Sequence, residues 1–437
     1  MHGFIELAKE EWDLVDTPVF QRLRGIRQLA LASLVYPGAT HTRFEHSLGV
    51  THVAGRMARQ LDLEPDSQKL VRHAALLHDL GHGPFSHISE EALEILNTDA
   101  SSGSSLPIHE AIGHRIISSD EQIGRHVSPK YAEEILEVLT GSAETTVMTQ
   151  IITGPADADK QDYLLRDSAA CGVEYGTYDI DRLHNTLCSI EDKFDTYIAF
   201  TYGGVEALEQ FVLAKYYMNS QVYSHRVRRI TDAMILRALQ LGTEVDQIGF
   251  LRDAFLYSDD DAYLQNYLSC DDLRIVSEAR GPNWTGTWFA KIFAKLSERR
   301  LLKEVFTTRV NDLSSDSLRA LVEGVKPEAK KGIEDRVADI LGCEAEYVIL
   351  HEYSIGWSPK SSESEIQIYD GNRGRPFSES STIFSTVEEA LQERWLTVYA
   401  PRDSDESTAG RKLAASRHDR IKSEIETEIR RHAGGGP

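Results

Sequence analysis

A histidine and an aspartate stand side by side at His78-Asp79, where the apolar run LVRHAALLHDL meets the turn GHGPF. Adjacent residues on a helix diverge by about 100°, yet at a helix end both side chains can converge on one cation. Upstream, His46 shares a helical stripe with Val50, Val53 and Met57. Its imidazole therefore faces the interior, where a polar ring requires a partner. Further along, the run ADADKQDYLLRD sets Asp159, Lys160, Tyr163 and Asp167 within about 100° of arc on one helix face. Two imidazoles and two carboxylates form a mixed nitrogen–oxygen donor set suited to Mn²⁺, Fe²⁺, Zn²⁺ or Mg²⁺. Such a set leaves positions open for substrate oxygen and water, as Lewis-acid hydrolysis requires. More histidines crowd the same stretch: His41, His82, His87 and His109, the last followed by Glu110. Taken singly, each has a plain alternative as a hydrogen-bonded core histidine or a solvated, salt-bridged helix face.

Helices must position these groups. Thr17-Pro18 has the form of an N-cap and first-turn pair opening a helix PVFQRLRGIRQLA. Apolar periodicity predicts helices over Phe44–Leu61 and Leu70–Leu80, the second stopped by Gly81. Others are expected at 130–140, 157–170, 204–241, 247–256, 260–278, 286–299 and 314–342, with a polar loop at NTDASSGSSLP. From about Glu344 the period shortens. YVILHEYSI, SEIQIYD and RWLTVYA have the pattern of strands, with a helical TVEEALQER between the last two. The expected fold class is mainly α: a helical core over 1–343, a small α+β lobe over 344–401, and a charged, partly disordered tail over 402–437.

Composition narrows the function. The chain has 437 residues, 41% hydrophobic and 27% charged, which is globular usage with ample material for a core. It carries 47 basic and 69 acidic residues, a formal net charge of -22. Nucleic acid and anionic membrane are poor partners for such a surface, since both need a positive footprint. Local basic clusters can still hold a small polyphosphate. The four cysteines, Cys171, Cys188, Cys270 and Cys343, show no CxxC spacing and no disulfide framework. No apolar run reaches the ~18 residues of a membrane span. The acidic start MHGFIELAKEEWDLVD lacks the order of a signal peptide. A cytoplasmic protein is expected.

The order H…HD…D, carried by RFEHSLGV and LLHDLGHGPFSH, resembles the HD-domain phosphohydrolases. Together with HGFIEL, DTPVFQRLRGIRQL, YPGATHTRFEHSLGV, HEAIGHRII, DADKQDYLLRD and YSHRV, it resembles more narrowly the deoxynucleoside triphosphate triphosphohydrolases. The late strands YVILHEYSI and WLTVYA are similar to that family's C-terminal lobe. The resemblance implies a divalent metal held by His46, His78, Asp79 and Asp159. It implies Arg43, Lys160 and Lys215 on the triphosphate, and a catalytic cluster of His82, His87, His109 and Glu110. Gln28 and Asp167 would bind the sugar 3′-hydroxyl, with Tyr163, Tyr223 and Leu29 against the sugar. The implied reaction takes a dNTP and water to deoxynucleoside and inorganic triphosphate.

The same resemblance implies a nucleotide effector site at Asp16, Gln21, Arg24 and Arg182, and a homo-oligomer between dimer and hexamer. Thr201 and Gly203 depart from it, standing where vertebrate members carry basic residues for effector phosphates. A constitutive or differently triggered assembly is therefore expected. No SAM domain is expected ahead of the core. A second possibility keeps the HD site but makes the substrate an oligonucleotide or another nucleotide, as in a phosphodiesterase or nuclease. The cluster Arg226, Arg228 and Arg229 is its one supporting feature.

Overall fold

The structure, a computed structural model, describes residues 1–97, 106–141, 146–191, 196–313, 325, 327–355, 365–384, 393–401 and 415–433. The chain opens with α1 (Lys9–Val15), α2 (Pro18–Gln21), α3 (Arg43–Gln60), α4 (Pro65–Leu77), α5 (His87–Leu96) and α6 (Ile108–Ser119). It continues through α7 (Pro129–Thr140), α8 (Thr146–Thr153), α9 (Ala158–Cys171), α10 (Ile180–Asn185), β1 (Leu187–Glu191), β2 (Thr196–Thr201) and α11 (Val205–Met218). Next come α12 (Arg226–Glu244), α13 (Gly249–Phe255), α14 (Asp261–Leu268), α15 (Asp272–Arg280), α16 (Trp288–Ser297), β3 (Lys303–Arg309) and α17 (Pro327–Leu341). The last elements are β4 (Ile349–Ile355), β5 (Gln367–Tyr369), β6 (Gly374–Pro376), α18 (Phe377–Ser380), β7 (Glu393–Ala400) and α19 (Ala415–Ala433). A mainly helical fold with small sheets is thus confirmed.

Local chemistry sets the helix ends that matter. The backbone N–H of Thr42 donates to Glu45 Oε2 (2.6 Å), half of a capping box that opens α3. Asp157 caps α9 by accepting from the N–H of Lys160 at 2.8 Å, and Gly172 closes it. Val50, Val53, Ala54 and Met57 of α3 are buried, and α3 packs on both α4 and α9. That packing gathers the chemistry-bearing residues of three helices.

The chain divides into two compact units. One comprises Met1–Tyr223, Gly249–Ser277 and the described part of Ser358–Ala390; the other comprises Ser224–Ile248, Glu278–Trp357 and the described part of Leu391–Pro437. The division expected at 343/344 does not match, because late strands pair with early ones. In the first unit β5 lies parallel to β2 (Ala199 opposite Gln367) in a sheet ordered β1-β2-β5-β6. In the second, β7 runs between β3 and β4, antiparallel to both, with Thr397 opposite Thr307 and His351.

Four further expectations are corrected. The strands β1, β2 and β3 lie in the stretch expected to be all helical. PVFQRLRGIRQLA is helical only over Pro18–Gln21 and a following 3₁₀ turn, and the Thr17 hydroxyl donates back to Leu14 O (2.7 Å) instead of capping. The helix expected over 204–241 is interrupted by a π-turn at Asn219–Tyr223. The one expected over 260–278 is two, because Asp272 opens a new helix while its carboxylate accepts from the N–H groups of Phe85 (2.6 Å) and Arg27 (3.1 Å). Most of TVEEALQER, the loop after Asn97 and the start of the tail lie outside the described residues.

The later part of the tail is structural. Ile421, Ile425 and Ile429 of α19, spaced at i, i+4 and i+8, are buried with Ile333 and Val337 of α17 and Phe306, Leu350, Leu396 and Val398 of the sheet. Ile425→Ala should therefore destabilise the protein by about 2–4 kcal/mol, read as an earlier unfolding midpoint in urea. A solvated tail would show no change.

Candidate metal centre and active site

His46 sits in the first turn of α3, His78 caps the C-terminus of α4, Asp79 follows it, and Asp159 is in the first turn of α9. His46 Nε2 lies 2.9 Å from Asp159 Oδ1 and 3.8 Å from Asp79 Oδ2. His78 Nε2 lies 3.2 Å from Asp79 Oδ1 and 4.0 Å from Asp159 Oδ1. Donor atoms of His46, His78 and Asp79 fall within 4.8 Å of one another, a group able to hold a metal ion.

Both imidazoles are oriented from behind. His46 Nδ1 donates to Asp162 Oδ2 (2.8 Å) and His78 Nδ1 to the Ala75 carbonyl (2.7 Å), which turns each Nε2 toward Asp79. Among the described residues neither Nε2 finds a hydrogen-bond acceptor in good geometry, although both are buried. Buried, unsatisfied imidazole nitrogens beside carboxylates are what a divalent cation fits. Gly49 permits the arrangement, since a Cβ there would stand 1.9 Å from Asp162 Oδ1. Asp162 itself was not among the residues expected from sequence.

The electrostatics agree. Burial opposes a charge on His46, but the adjacent carboxylates of Asp159, Asp162 and Asp79 push its pKa up to about 10. Asp79 is also buried, yet Arg43, His78 and His82 hold its carboxyl well below the usual range. Asp159 is held down to about 2, against the cost of burial, by His46 and His78. The carboxylates around His46 favour a positive charge among them.

Beside this group lies a histidine cluster organised by a residue the sequence did not single out, Glu90 on α5. Its carboxylate contacts His82 Nδ1, lies 3.0 Å from His87 Nδ1 and 3.9 Å from His109 Nδ1. His82 Nε2 meets Asp79 Oδ1 at 3.0 Å, linking cluster and metal group, and His82 stacks on His109 with ring centroids 5.3 Å apart. Burial, with His82 and His87 beside it, lowers His109 to about 4 despite Glu90. In His82 the attraction of Asp79 and Glu90 overcomes burial and Arg43, so its pKa is raised. Such opposed shifts in stacked imidazoles favour the protonated form of His82 and the neutral form of His109. Glu110 is exposed on α6; burial and the like charge of Glu90 raise its pKa.

Backbone strain marks the turn between the two groups, where Phe85 (φ 62°) and Ser86 (φ 56°) occupy positive-φ conformations. Asp272 holds the turn through Phe85 N–H, and the Ser86 hydroxyl donates to Arg27 O (2.8 Å) while accepting from Arg43 Nε (3.0 Å).

The remaining expected residues fall into distinct surroundings. Arg43 is buried and grips both oxygens of Asp79 at 3.0 and 3.1 Å, leaving Nη2 without a hydrogen-bond partner among the described residues. Gln28 is also buried with Oε1 likewise unsatisfied, next to buried Leu29. Asp167 accepts from His41 Nε2 and from the Tyr223 hydroxyl, each at 2.7 Å, and Tyr223 meets Tyr163 edge-on at 6.1 Å. Lys160 bonds the Gly154 carbonyl (3.2 Å) and Asp157 (2.5 Å), at the entrance of α9. Lys215 is half-buried on α11. Gln21 and Arg24 are joined at 2.8 Å, with the exposed Arg24 guanidinium over the Phe44 ring at 3.5 Å and Asp16 exposed at the end of α1. Arg182 donates to the Gly203 carbonyl at 2.7 Å.

The HD domain matches residues 43–185, and the HD associated region matches residues 178–418. The chain belongs to the HD-domain proteins that carry this HD-associated region, a phosphohydrolase family. It is 29% identical over 405 residues to the uncharacterized protein MJ1154 of Methanocaldococcus jannaschii, covering 92% of this chain and 78% of that one. It is 30% identical over 346 residues to the deoxynucleoside triphosphate triphosphohydrolase SAMHD1 homolog of Dictyostelium discoideum, covering 76% of this chain and 63% of that one. A solved structure of a hypothetical protein from Aquifex aeolicus matches with a TM-score of 0.68 at 27% identity over 97% of both chains. Among the described residues, no helix is long and apolar enough to cross a membrane.

Proposed function

We propose that this chain hydrolyses deoxynucleoside triphosphates to deoxynucleoside and inorganic triphosphate. The observation that carries it is the pairing of two preoriented Nε2 atoms and Asp79 with a three-histidine, one-glutamate cluster joined through His82. The similarity to the Dictyostelium triphosphohydrolase supports the choice of substrate class. His46, His78, Asp79 and Asp159 would hold a divalent ion. When bound, it supplies Lewis acidity toward phosphate oxygen and lowers the pKa of water.

The chain's own residues do the rest. Arg43, buried and cationic, has an Nη2 with no hydrogen-bond partner among the described residues, which would bind a phosphate oxygen. Lys160 and Lys215 would add charge on the triphosphate, Lys160 by exchanging Asp157 for it. His109, neutral near pH 7, can accept a proton; His82, with its raised pKa, can donate one to the departing oxygen. Asp167, with Gln28, would hold the sugar 3′-hydroxyl. Tyr163, Tyr223 and Leu29 would fill the space a ribose 2′-hydroxyl needs, which gives preference for deoxyribose. The coupled pair Gln21 and Arg24, with Asp16 and Arg182, remains our proposed nucleotide effector site on a homo-oligomer. Two of the three arginines behind the oligonucleotide alternative have partners within the chain, Arg228 pairing with Asp232 (3.4 Å) and Arg229 covering Tyr353 (3.9 Å), while Arg226 is exposed.

The test is incubation of purified protein with each dNTP and NTP, singly and mixed, with Mn²⁺, Mg²⁺ or Fe²⁺, and separation of products by ion exchange. Intact triphosphate from dNTPs and little product from NTPs is expected. Release of pyrophosphate or single phosphates instead would overturn the proposal. Turnover confined to nucleotide mixtures would mean that an effector is required.

A further inference from the structure

The segment ahead of α1 has no regular secondary structure, and Met1 and Phe4 are 60% and 97% exposed. Between them the His2 side chain is 4% exposed, with Nε2 2.6 Å from Asp162 Oδ1. Gly3, at φ 67°, makes the reversal that turns this ring inward, a conformation that costs any L side chain strain. The His52 ring flanks it at 5.4 Å. Farther along, the Glu6 carbonyl accepts from Arg72 Nη2 at 3.0 Å, so the segment is held at two points.

The contact matters because of what Asp162 holds. Its Oδ2 accepts from His46 Nδ1 (2.8 Å) and Arg166 Nε (2.7 Å), and its Oδ1 accepts from Arg166 Nη2 (2.9 Å) and from His2. Two donors on each oxygen fix the carboxylate plane. Without His2, Oδ1 keeps one donor on one arginine, and the buried carboxylate gains freedom to turn. Rotation at Asp162 passes directly to the His46 ring, whose Nδ1 has that carboxylate as its bond.

We propose that His2 is a positioning residue for the cation site, acting through Asp162 on His46. The proposal rests on the assignment of His46 as a metal ligand. A partner behind a ligating histidine typically changes metal affinity by about 10–100-fold when removed, and His2 stands one step farther back. The His2→Ala variant of the full chain should bind Mn²⁺ about 10-fold more weakly, measured without nucleotide by the free-ion signal in electron paramagnetic resonance. The activity of that variant should return toward wild type at saturating Mn²⁺, so that the metal requirement rises more than kcat falls. His2→Gln, whose amide can still donate to Oδ1, should recover most of the affinity. Gly3→Ala, which strains the turn without touching the ring, should weaken binding in the same direction and decides the matter if His2→Ala folds poorly. Unchanged Mn²⁺ affinity in His2→Ala beside a weakened Asp162→Asn would overturn this proposal alone. A wild-type chain that binds neither Mn²⁺ nor Fe²⁺, Zn²⁺ or Mg²⁺ would overturn the cation assignment and this inference with it.

Discussion

His78→Ala should empty the chain of its bound metal and lower dNTP hydrolysis by about 10³-fold or more, the scale of several kcal/mol of transition-state stabilisation. His78 is the informative ligand to remove because its ring does little else. Its side chain is 13% exposed and its one backbone bond goes to the Ala75 carbonyl in its own helix. Asp79→Asn should abolish activity to a similar degree but for two reasons at once. Arg43 is buried against both Asp79 oxygens, and a carboxamide leaves that guanidinium without its counter-charge. Breaking a buried pair on one side costs about 3–5 kcal/mol, so Asp79→Asn should also unfold earlier. Metal content by elemental analysis and the thermal midpoint separate the two effects. A His78→Ala protein that keeps its metal and its turnover would sink the site assignment.

The contrast between these two variants also shows what the sequence could reveal. His46, His78 and Asp79, which come together as a group able to hold a metal ion, were expected from sequence because their order, with Asp159, matches a family pattern. Asp162 was not. It lies on the same helix as Asp159 but off the arc that Asp159, Lys160, Tyr163 and Asp167 share, and it meets His46 of α3 instead. Its signal was on the other helix: Gly49, one turn after His46, is small because a carboxylate lies against it. Glu90 was hidden differently, among the acidic residues of an ordinary amphipathic helix, SEEALEIL. Only its spacing of three from His87 hinted at a shared face. His2 carried no signal at all beyond its glycine neighbour, since nothing local dictates that a coil residue should reach a helix 160 positions away.

The fold was legible where periodicity is long and uniform, as in α3, α4, α7 and α9. It failed where short strands sit between helices. TYIAFT and KEVFTTR are short, and although β2 pairs with its neighbour β1, both β2 and β3 also pair with strands far later in the chain, β5 and β7. Non-local pairing is what decides such segments, and it cannot be read from their own composition. The same long-range pairing is why the division at 343/344 failed: strands assigned to one terminal lobe complete two sheets in two units. The interruption at Asn219–Tyr223 has a structural consequence. It places Tyr223 where its hydroxyl reaches Asp167, which a continuous helix over 204–241 would not have suggested.

Glu90→Gln should leave metal content intact and lower kcat by about 10²–10⁴-fold, the range associated with loss of positioned proton transfer. Burial disfavours the Glu90 carboxylate, yet its contacts with His82 and His87 hold its pKa far below the ordinary range, so it is ionised throughout neutral pH. That single charge serves three imidazoles, and the carboxamide that replaces it has one oxygen and no charge to offer them. His82 loses one of the two carboxylates that raise its pKa, while its contact with Asp79 remains. His109 is stacked on His82 and loses the attraction of Glu90, so the pair no longer keeps a defined donor and acceptor. None of these changes touches His46, His78 or Asp159, which is why metal should stay while turnover falls. Single-turnover hydrolysis at saturating dNTP and metal, beside elemental analysis of the same sample, reads both quantities. Full turnover in Glu90→Gln would mean that the histidine cluster only supports the turn at Phe85 and Ser86, and that proton transfer is handled elsewhere.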